Sequence, residues 1–183
     1  TAPDARGLEM TSNKDRAIVV SALKHAAPYI RLFKGKVFVL KAGGEIFADA
    51  AQTSALMEQV GILHQVGIRV VLIGGEVSGE GQITTGASAV RALSEIQVDY
   101  GFIGTGYVDA LHGLTEFDWD VVQVKKSVIG ASRRVVLLCI SEKLNSQHRY
   151  RTCDISAINT MVTELDPDHN RLNSFRDHQI HIL

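Results

Sequence analysis

The chain has 183 residues, of which 45% are hydrophobic and 21% charged, so it can bury a core of its own within a single domain. Nineteen Lys and Arg against twenty Asp and Glu leave a formal net charge of -1, which argues against direct nucleic-acid binding. The two cysteines form no disulfide or metal pattern, and no apolar run reaches the roughly 18 residues of a membrane span. These properties predict a soluble cytoplasmic protein with no membrane partner, no metal and no cofactor.

The beginning of the chain predicts a leader followed by a helix. Residues 1–13 are polar and lack the apolar region of a signal peptide, whereas residues 14–183 predict a single domain. Apolar side chains recur at helical spacing over residues 15–27. Pro28 interrupts this spacing, which predicts either two short helices or one kinked helix.

The next three elements predict a βαβ unit. A β-branched and aromatic run over residues 36–40 predicts a buried strand, and residues 68–73 predict a second one. Between them, an apolar stripe over residues 50–66 predicts a helix. The right-handed crossover of such a unit places both strands parallel in one sheet.

Paired glycines follow each of these strands, Gly43 with Gly44 and Gly74 with Gly75. Because the carboxyl ends of parallel strands share one edge, we expect both loops to converge where open α/β sheets bind ligands. Lys41, just before the first pair, can bind a phosphate as a point charge. A Lys that simply ends an exposed strand is the equally ordinary alternative.

The remaining pattern alternates between strands and helices and predicts a three-layer αβα domain with a mostly parallel sheet. The predicted strands cover residues 98–103, 135–140, 161–163 and 179–182, and the predicted helices cover residues 87–96, 119–131 and 172–177.

Several short motifs share one order and spacing with a known family. They are Gly74-Gly75-Glu76, Gly86, VDYGFIG at residues 98–104, Asp109, GLTEFDW at residues 113–119, VKKSVI at residues 124–129, and Lys143. From about residue 68 to residue 183 the chain resembles the C-terminal effector-sensing domain of DeoR-type transcription regulators. The resemblance implies a fold related to ribose-phosphate isomerase and a small phosphorylated sugar or related metabolite as partner. It implies sensing rather than enzymatic turnover, and it leaves a homo-oligomer open.

The resemblance gives the second glycine loop a role in ligand binding. Gly74 and Gly75 allow the backbone to approach a ligand closely, and Glu76 can accept hydrogen bonds from sugar hydroxyls. The alternative is a plain turn. Gly104 ends a predicted strand, and the loop that follows it, residues 105–109, is of the kind that lines an effector pocket.

Three further side chains complete the predicted site. Asp109 and Asp118 are the preferred acceptors for sugar hydroxyls, although helix N-capping is the favoured alternative for Asp118 because it directly precedes a predicted helix. The resemblance implies that Lys143 lies near the effector phosphate; a solvated loop Lys is its alternative.

The sequence also departs from the DeoR pattern. The G-T-T phosphate loop of the family is replaced near Gly43, and the expected winged helix has no counterpart in the first 35 residues. Ile140 and Glu142 stand where the family usually has Asp and Ser, and Val121 replaces a usual Glu. These departures remove carboxylates on which polyol recognition depends.

Residues 17–75 resemble a different family, the N-acetylglutamate kinases and their synthase relatives. In those kinases the Lys and glycines of a K-x-G-G motif contact the transferring phosphate, and the matching residues here are Lys41, Gly43 and Gly44. Residues 74–77 depart from the kinase pattern, which continues as a third glycine and a proline, and no kinase-type ATP half follows.

The chain therefore resembles a mosaic of two families, either an engineered chimera or a natural recombinant. Two other functions remain open beside the sensor. One is a kinase-like fragment that binds phosphate or an acyl amino acid, for which no turnover is expected. The other is a folded scaffold without retained activity.

Overall fold

A computed structural model describes residues 13–41, 46–47, 49–77 and 84–183 of the chain. The described residues form two compact units. The smaller lies within residues 1–40 and 53–71, and the larger lies within residues 41–52 and 72–183. All but the last residue of the predicted leader lies outside the described residues, as do Gly43 and Gly44.

Helix α1 (Asn13–Phe33) is the first described element, and Pro28 lies inside it. The single-helix alternative drawn from the sequence is therefore confirmed. Proline removes one N–H donor, but helical hydrogen bonding continues beyond it, since the N–H of Lys34 donates to the Ile30 carbonyl at 2.9 Å.

The predicted βαβ order is confirmed by strand β1 (Val37–Lys41), helix α2 (Ala50–Gln65) and strand β2 (Arg69–Ile73). The two strands pair in a two-stranded sheet. At the start of this pair, the N–H of Arg69 donates to the Lys36 carbonyl at 2.9 Å. Both strands begin on the same side of the sheet and thus run parallel.

After β2 the chain forms two strands of two residues each, β3 (Glu76–Val77) and β4 (Thr84–Thr85), which pair antiparallel. Helix α3 (Gly86–Ser94) follows directly. Gly86 has a φ of 88°, a backbone conformation that glycine adopts without the penalty of a side chain.

Seven more strands belong to the larger unit. In chain order they are β5 (Val98–Gly104), β6 (Tyr107–Asp109), β7 (Gly113–Glu116), β8 (Ser132–Leu138), β9 (Tyr150–Cys153), β10 (Thr160–Val162) and β11 (His181–Ile182). Four of them form a wholly parallel sheet in the order β11, β10, β8, β5. This sheet confirms the predicted α/β class.

Strands β6, β7 and β9 form a separate antiparallel sheet that the sequence did not predict. They have only three or four residues each. Every residue of β7 is buried, so no alternation of polar and apolar side chains marks it as a strand.

Helix α4 (Trp119–Ala131) matches the predicted helix, and a short helix α5 (Asn173–Arg176) lies near the predicted one. Among the described residues, no helix is both long and apolar enough to cross a membrane. Cys139 and Cys153 are both free.

The core of the larger unit contains side chains from the parallel sheet, the antiparallel sheet and the C-terminal helix. Its largest fully buried members are Phe175, Leu114, Leu137, Ile155, Met161, Leu172, Val108 and Val122. Each such side chain contributes roughly 1.5 to 3 kcal/mol by leaving water. This core fixes the strand ends from which the loops of the candidate site project.

Candidate functional site

Two parts of the predicted site, Gly104 and the loop that contains Lys143, lie at the carboxyl edge of the parallel sheet. Gly104 pairs with Leu138, and Leu138 pairs with Val162, so β5, β8 and β10 end side by side. An open cavity of about 280 Å³ lies at the ends of β8 and β10. Its lining residues are Leu138, Cys139, Ile140, Val162, Thr163 and Glu164.

Lys143 lies in the loop after β8, at the end of a short 3₁₀ helix, Ser141–Lys143. Its ammonium nitrogen stands 5.8 Å from the centre of the Tyr107 ring, a cation–π distance. The Tyr107 ring in turn stacks on His148, with centroids 5.1 Å apart and an interplanar angle of 22°. No carboxylate within the described part of the chain forms an ion pair with Lys143.

Hydrogen bonds hold the start of this 3₁₀ helix from two sides. The N–H of Ser141 donates to both carboxylate oxygens of Glu164, at 2.8 and 3.0 Å. The Arg171 guanidinium donates to the Ser141 carbonyl at 2.8 Å. Hydrogen bonds from the side chain and backbone of Ser141 lower the pKa of Glu164 to about 2. Glu164 therefore stays charged at neutral pH.

A buried ion pair lies beside the loop that follows β5. Glu116 is only 3% exposed, and its carboxylate pairs with the Lys125 ammonium. The same carboxylate accepts the N–H of Gly106 at 2.7 Å. A Cβ atom at Gly106 would come 2.5 Å from Oε2 of Glu116, so only glycine fits there without a shift. The sequence analysis did not identify this pair.

Asp109 organises the turn between β6 and β7. Its Oδ1 accepts the backbone N–H of Leu111 and of His112, each at 2.9 Å, and also contacts Nδ1 of His112 at 2.9 Å. Burial raises the pKa of Asp109, but these hydrogen bonds outweigh it and leave the pKa below its ordinary value. Oδ2 makes none of these bonds.

Asp118 caps helix α4. Its Oδ1 accepts the N–H of Asp120 at 2.8 Å and of Val121 at 3.2 Å. This is the N-cap geometry that the sequence favoured, and it satisfies two donors that have no partner within the helix.

Of the other predicted residues, those within the described ranges lie in or next to two short sheets, β1–β2 and β3–β4. Lys41 ends β1, Gly74 and Gly75 form an exposed turn after β2, and Glu76 begins β3. The pairing of β1 with β2 places Lys41 and Ile73, the last residues of the two strands, at adjacent strand ends. Their convergence with Gly104 and Lys143 on a single ligand stays a prediction.

Sequence reasoning missed two polar residues near Lys143. His148 stacks on the Tyr107 ring that Lys143 approaches, and Glu164 accepts the backbone N–H of Ser141 in the Lys143 loop. His148 has its Nδ1 buried without a hydrogen-bond partner among the described residues. Glu164 sits at the end of β10, far from Ser141 in sequence. Neither carries a sequence signal, because both gain their roles from contacts between distant segments. No group of His, Cys, Asp and Glu within the described part of the chain could hold a metal ion.

The parallel sheet and the separate antiparallel sheet define an α/β domain, and comparison with protein families identifies its family. The DeoR C-terminal sensor domain model matches residues 49–165, so the chain belongs to this family of effector-sensing domains. The predicted resemblance is thus confirmed, with a match that begins earlier than residue 68.

Individual relatives include two repressors of the family. The glycerol-3-phosphate regulon repressor of Escherichia coli (strain K12) is 26% identical over 114 residues, covering 62% of this chain and 45% of the repressor. The Haemophilus influenzae repressor of the same name is 30% identical over 94 residues, covering 51% and 36%.

An acetylglutamate kinase is also similar to this chain. The enzyme of Pelodictyon phaeoclathratiforme is 30% identical over 136 residues, which cover 74% of this chain and 39% of the kinase. This similarity supports the predicted second resemblance. The chain spans less than half the length of each of these relatives.

Proposed function

We propose that this domain binds a small phosphorylated sugar or polyol at the carboxyl edge of its parallel sheet. One observation carries the proposal: the Lys143 ammonium projects from a loop at this edge without an acidic partner among the described residues. An unneutralised ammonium is suited to an anion such as a phosphate. Relatives named as glycerol-3-phosphate regulon repressors make a three-carbon polyol phosphate the first ligand to test.

In this proposal the edge supplies contacts to both ends of the ligand. Lys143 contacts the phosphate, and the loop that begins at Gly104 lies beside it. Oδ2 of Asp109 is the expected acceptor for hydroxyl groups, since Oδ1 is engaged by the turn. Asp118 is a weaker candidate, because its Oδ1 already caps α4. Lys41, Gly43, Gly44, Gly74, Gly75 and Glu76 are proposed as a second lining segment.

Calorimetric titration tests the proposal with glycerol 3-phosphate, and with glycerol and inorganic phosphate as partial ligands. We expect binding of the first to exceed that of either part. Lys143→Ala should weaken it by about tenfold or more, since a hydrogen bond to a charged group contributes about 1.5 to 3 kcal/mol.

Lys126→Ala is the matched control. Lys126 also stands 5.8 Å from an aromatic ring, that of Trp119, but it lies on helix α4 rather than at the sheet edge. The Lys126→Ala substitution should leave the affinity for glycerol 3-phosphate unchanged. Equal losses in both variants would contradict a specific role for Lys143. Absence of measurable binding to any of a wider panel of sugar phosphates would favour a scaffold without retained activity.

A second candidate is the binding of an acyl amino acid by the β1–α2–β2 segment. The similarity to acetylglutamate kinase over 74% of the chain favours it, together with the paired strands that end near Lys41. Titration with N-acetyl-L-glutamate, followed by a coupled assay for ATP turnover, distinguishes binding from catalysis. We expect no turnover.

A further inference from the structure

The Glu116–Lys125 pair is buried next to the candidate site without being one of its predicted ligands. Glu116 ends β7 and Lys125 lies on α4, so the pair joins the antiparallel sheet to a helix. Charged side chains are rarely buried so fully unless they are paired and hydrogen-bonded. Here the additional hydrogen bond goes to the loop between β5 and β6, through Gly106.

We infer that Glu116, with its charge neutralised by Lys125, is a positioning residue for the effector site. It fixes the β5–β6 loop through Gly106 and thereby the Tyr107 ring, which lies within cation–π distance of Lys143. The inference rests on the proposed function for its effect on affinity. Its structural part, the position of Tyr107, can be measured without any ligand.

The first step of the argument is that the loop has little freedom. The N–H of Gly106 donates to Glu116 at 2.7 Å, and a Cβ at Gly106 would lie 2.5 Å from Oε2 of Glu116, so any other residue would require this carboxylate to shift. The neighbouring Thr105 hydroxyl donates to the Tyr107 carbonyl at 2.8 Å. The Glu116 carboxylate therefore fixes the position of Gly106, and because Tyr107 is the next residue, it fixes the backbone of Tyr107 as well.

The second step connects the loop to Lys143. Tyr107 directly follows Gly106, and its ring contacts both the Lys143 ammonium and the His148 imidazole. A shift of the loop would move this ring. Lys143 would then lose the cation–π contact that restricts where its long, flexible side chain points.

The third step concerns charge. Lys125 neutralises Glu116, so a phosphate that approaches this edge does not face an uncompensated buried carboxylate. Removing Lys125 would leave that negative charge next to Gly106 and oppose anion binding. Glu116 thus supplies the acceptor for the Gly106 N–H, and Lys125 is needed only as long as that acceptor carries a charge.

The experiment compares Glu116→Ala, Glu116→Gln and the double variant Glu116→Gln with Lys125→Met in the full chain. The Phe117 ring also lies 6.3 Å from His148, so the ring-proton NMR shifts of His148 are read together with NOEs between the His148 and Tyr107 rings to report the position of the stacked Tyr107 ring. Calorimetry reports the Kd for glycerol 3-phosphate. Glu116→Ala should change the His148 shifts and raise the Kd about tenfold. A change of this size is typical when one hydrogen bond to a charged group is lost. Glu116→Gln keeps an acceptor for the Gly106 N–H, so we expect it and the double variant to stay near wild type in both readouts.

Arg91→Ala is the control, because the Arg91–Glu95 pair is exposed on α3 and should change neither readout. Wild-type His148 shifts in folded Glu116→Ala would overturn the inference, as would a raised Kd without a change in these shifts. Should Glu116→Ala not fold, His148 shifts far from wild type in the double variant would overturn it instead. Absence of glycerol 3-phosphate binding in the wild type would count against the proposed function alone, since the NMR readout still decides the positioning role.

Discussion

Gly113 shows how one residue can control the sheet next to the candidate site. It opens β7 with a φ of 76°, and a Cβ there would lie 2.1 Å from the carbonyl oxygen of Cys153. Backbone atoms of the paired strand β9 cannot move away as a flexible side chain would. The position therefore excludes every other residue type both by conformation and by space.

Gly113→Ala should lower the free energy of unfolding by about 2 kcal/mol or more, combining a left-handed alanine with a clash in the β7–β9 pairing. Urea denaturation measures it. Gly130→Ala is the matched control. Gly130 lies inside α4, and beyond its chain neighbours and the helix backbone no described atom lies within 4 Å of the added Cβ, so alanine there should raise stability by about 1 kcal/mol. Equal effects of the two substitutions would contradict the role assigned to Gly113.

Among the elements, helix α4 carries a residue with two competing roles. Asp118→Ala should lower the free energy of unfolding by about 1 kcal/mol, because two N–H groups at the helix start lose their acceptor. Asp118→Ser keeps a capping oxygen and should restore most of this stability. If Asp118 only caps the helix, the serine variant binds glycerol 3-phosphate as the wild type does. Calorimetry that showed restored stability but weakened binding would assign it to the ligand as well.

The same helix illustrates what the sequence could predict. Local pattern sufficed to predict α4 from its helical spacing and β5 from its β-branched and aromatic residues, because each pattern lies within one segment of the chain. The family motifs also indicated Lys143. The Glu116–Lys125 pair could not be predicted in this way. In the sequence, Glu116 looks like an ordinary surface carboxylate, and the structure shows that it is buried while the neighbouring Phe117 is exposed. Its burial arises only when β7 packs against α4.

Strand β6 and the contact between Glu164 and Ser141 were missed for a related reason. β6 has three residues and pairs with β7 across a turn held by Asp109. Glu164 contacts a segment 23 residues away. Such contacts depend on how the strands pair in each sheet, which local spacing does not specify.

At the scale of the whole molecule, Glu164 links the ends of β8 and β10 and makes stability depend on pH. Its pKa is about 2 in the folded state, against an ordinary value of 4.5. A carboxyl group with a lowered folded pKa contributes stability that is fully present above 4.5 and is lost as the pH falls toward 2. The pKa of Asp154 is lowered as well, first by the backbone N–H of Ser156, so the two act in the same direction.

Glu164→Gln should therefore lower the thermal midpoint at pH 7 and reduce its fall between pH 5 and about pH 2.5, because the variant cannot gain a proton at this site. Thermal melts in a pH series measure both effects. Glu142→Gln is the control: Glu142 lies on the same 3₁₀ helix as Ser141 but makes no hydrogen bond to β10 within the described part of the chain. A variant whose acid dependence matched wild type would mean that the Ser141 contact does not couple the strand ends. A flattened profile would show that acid releases the loop carrying Lys143, and effector binding should then weaken over the same pH range.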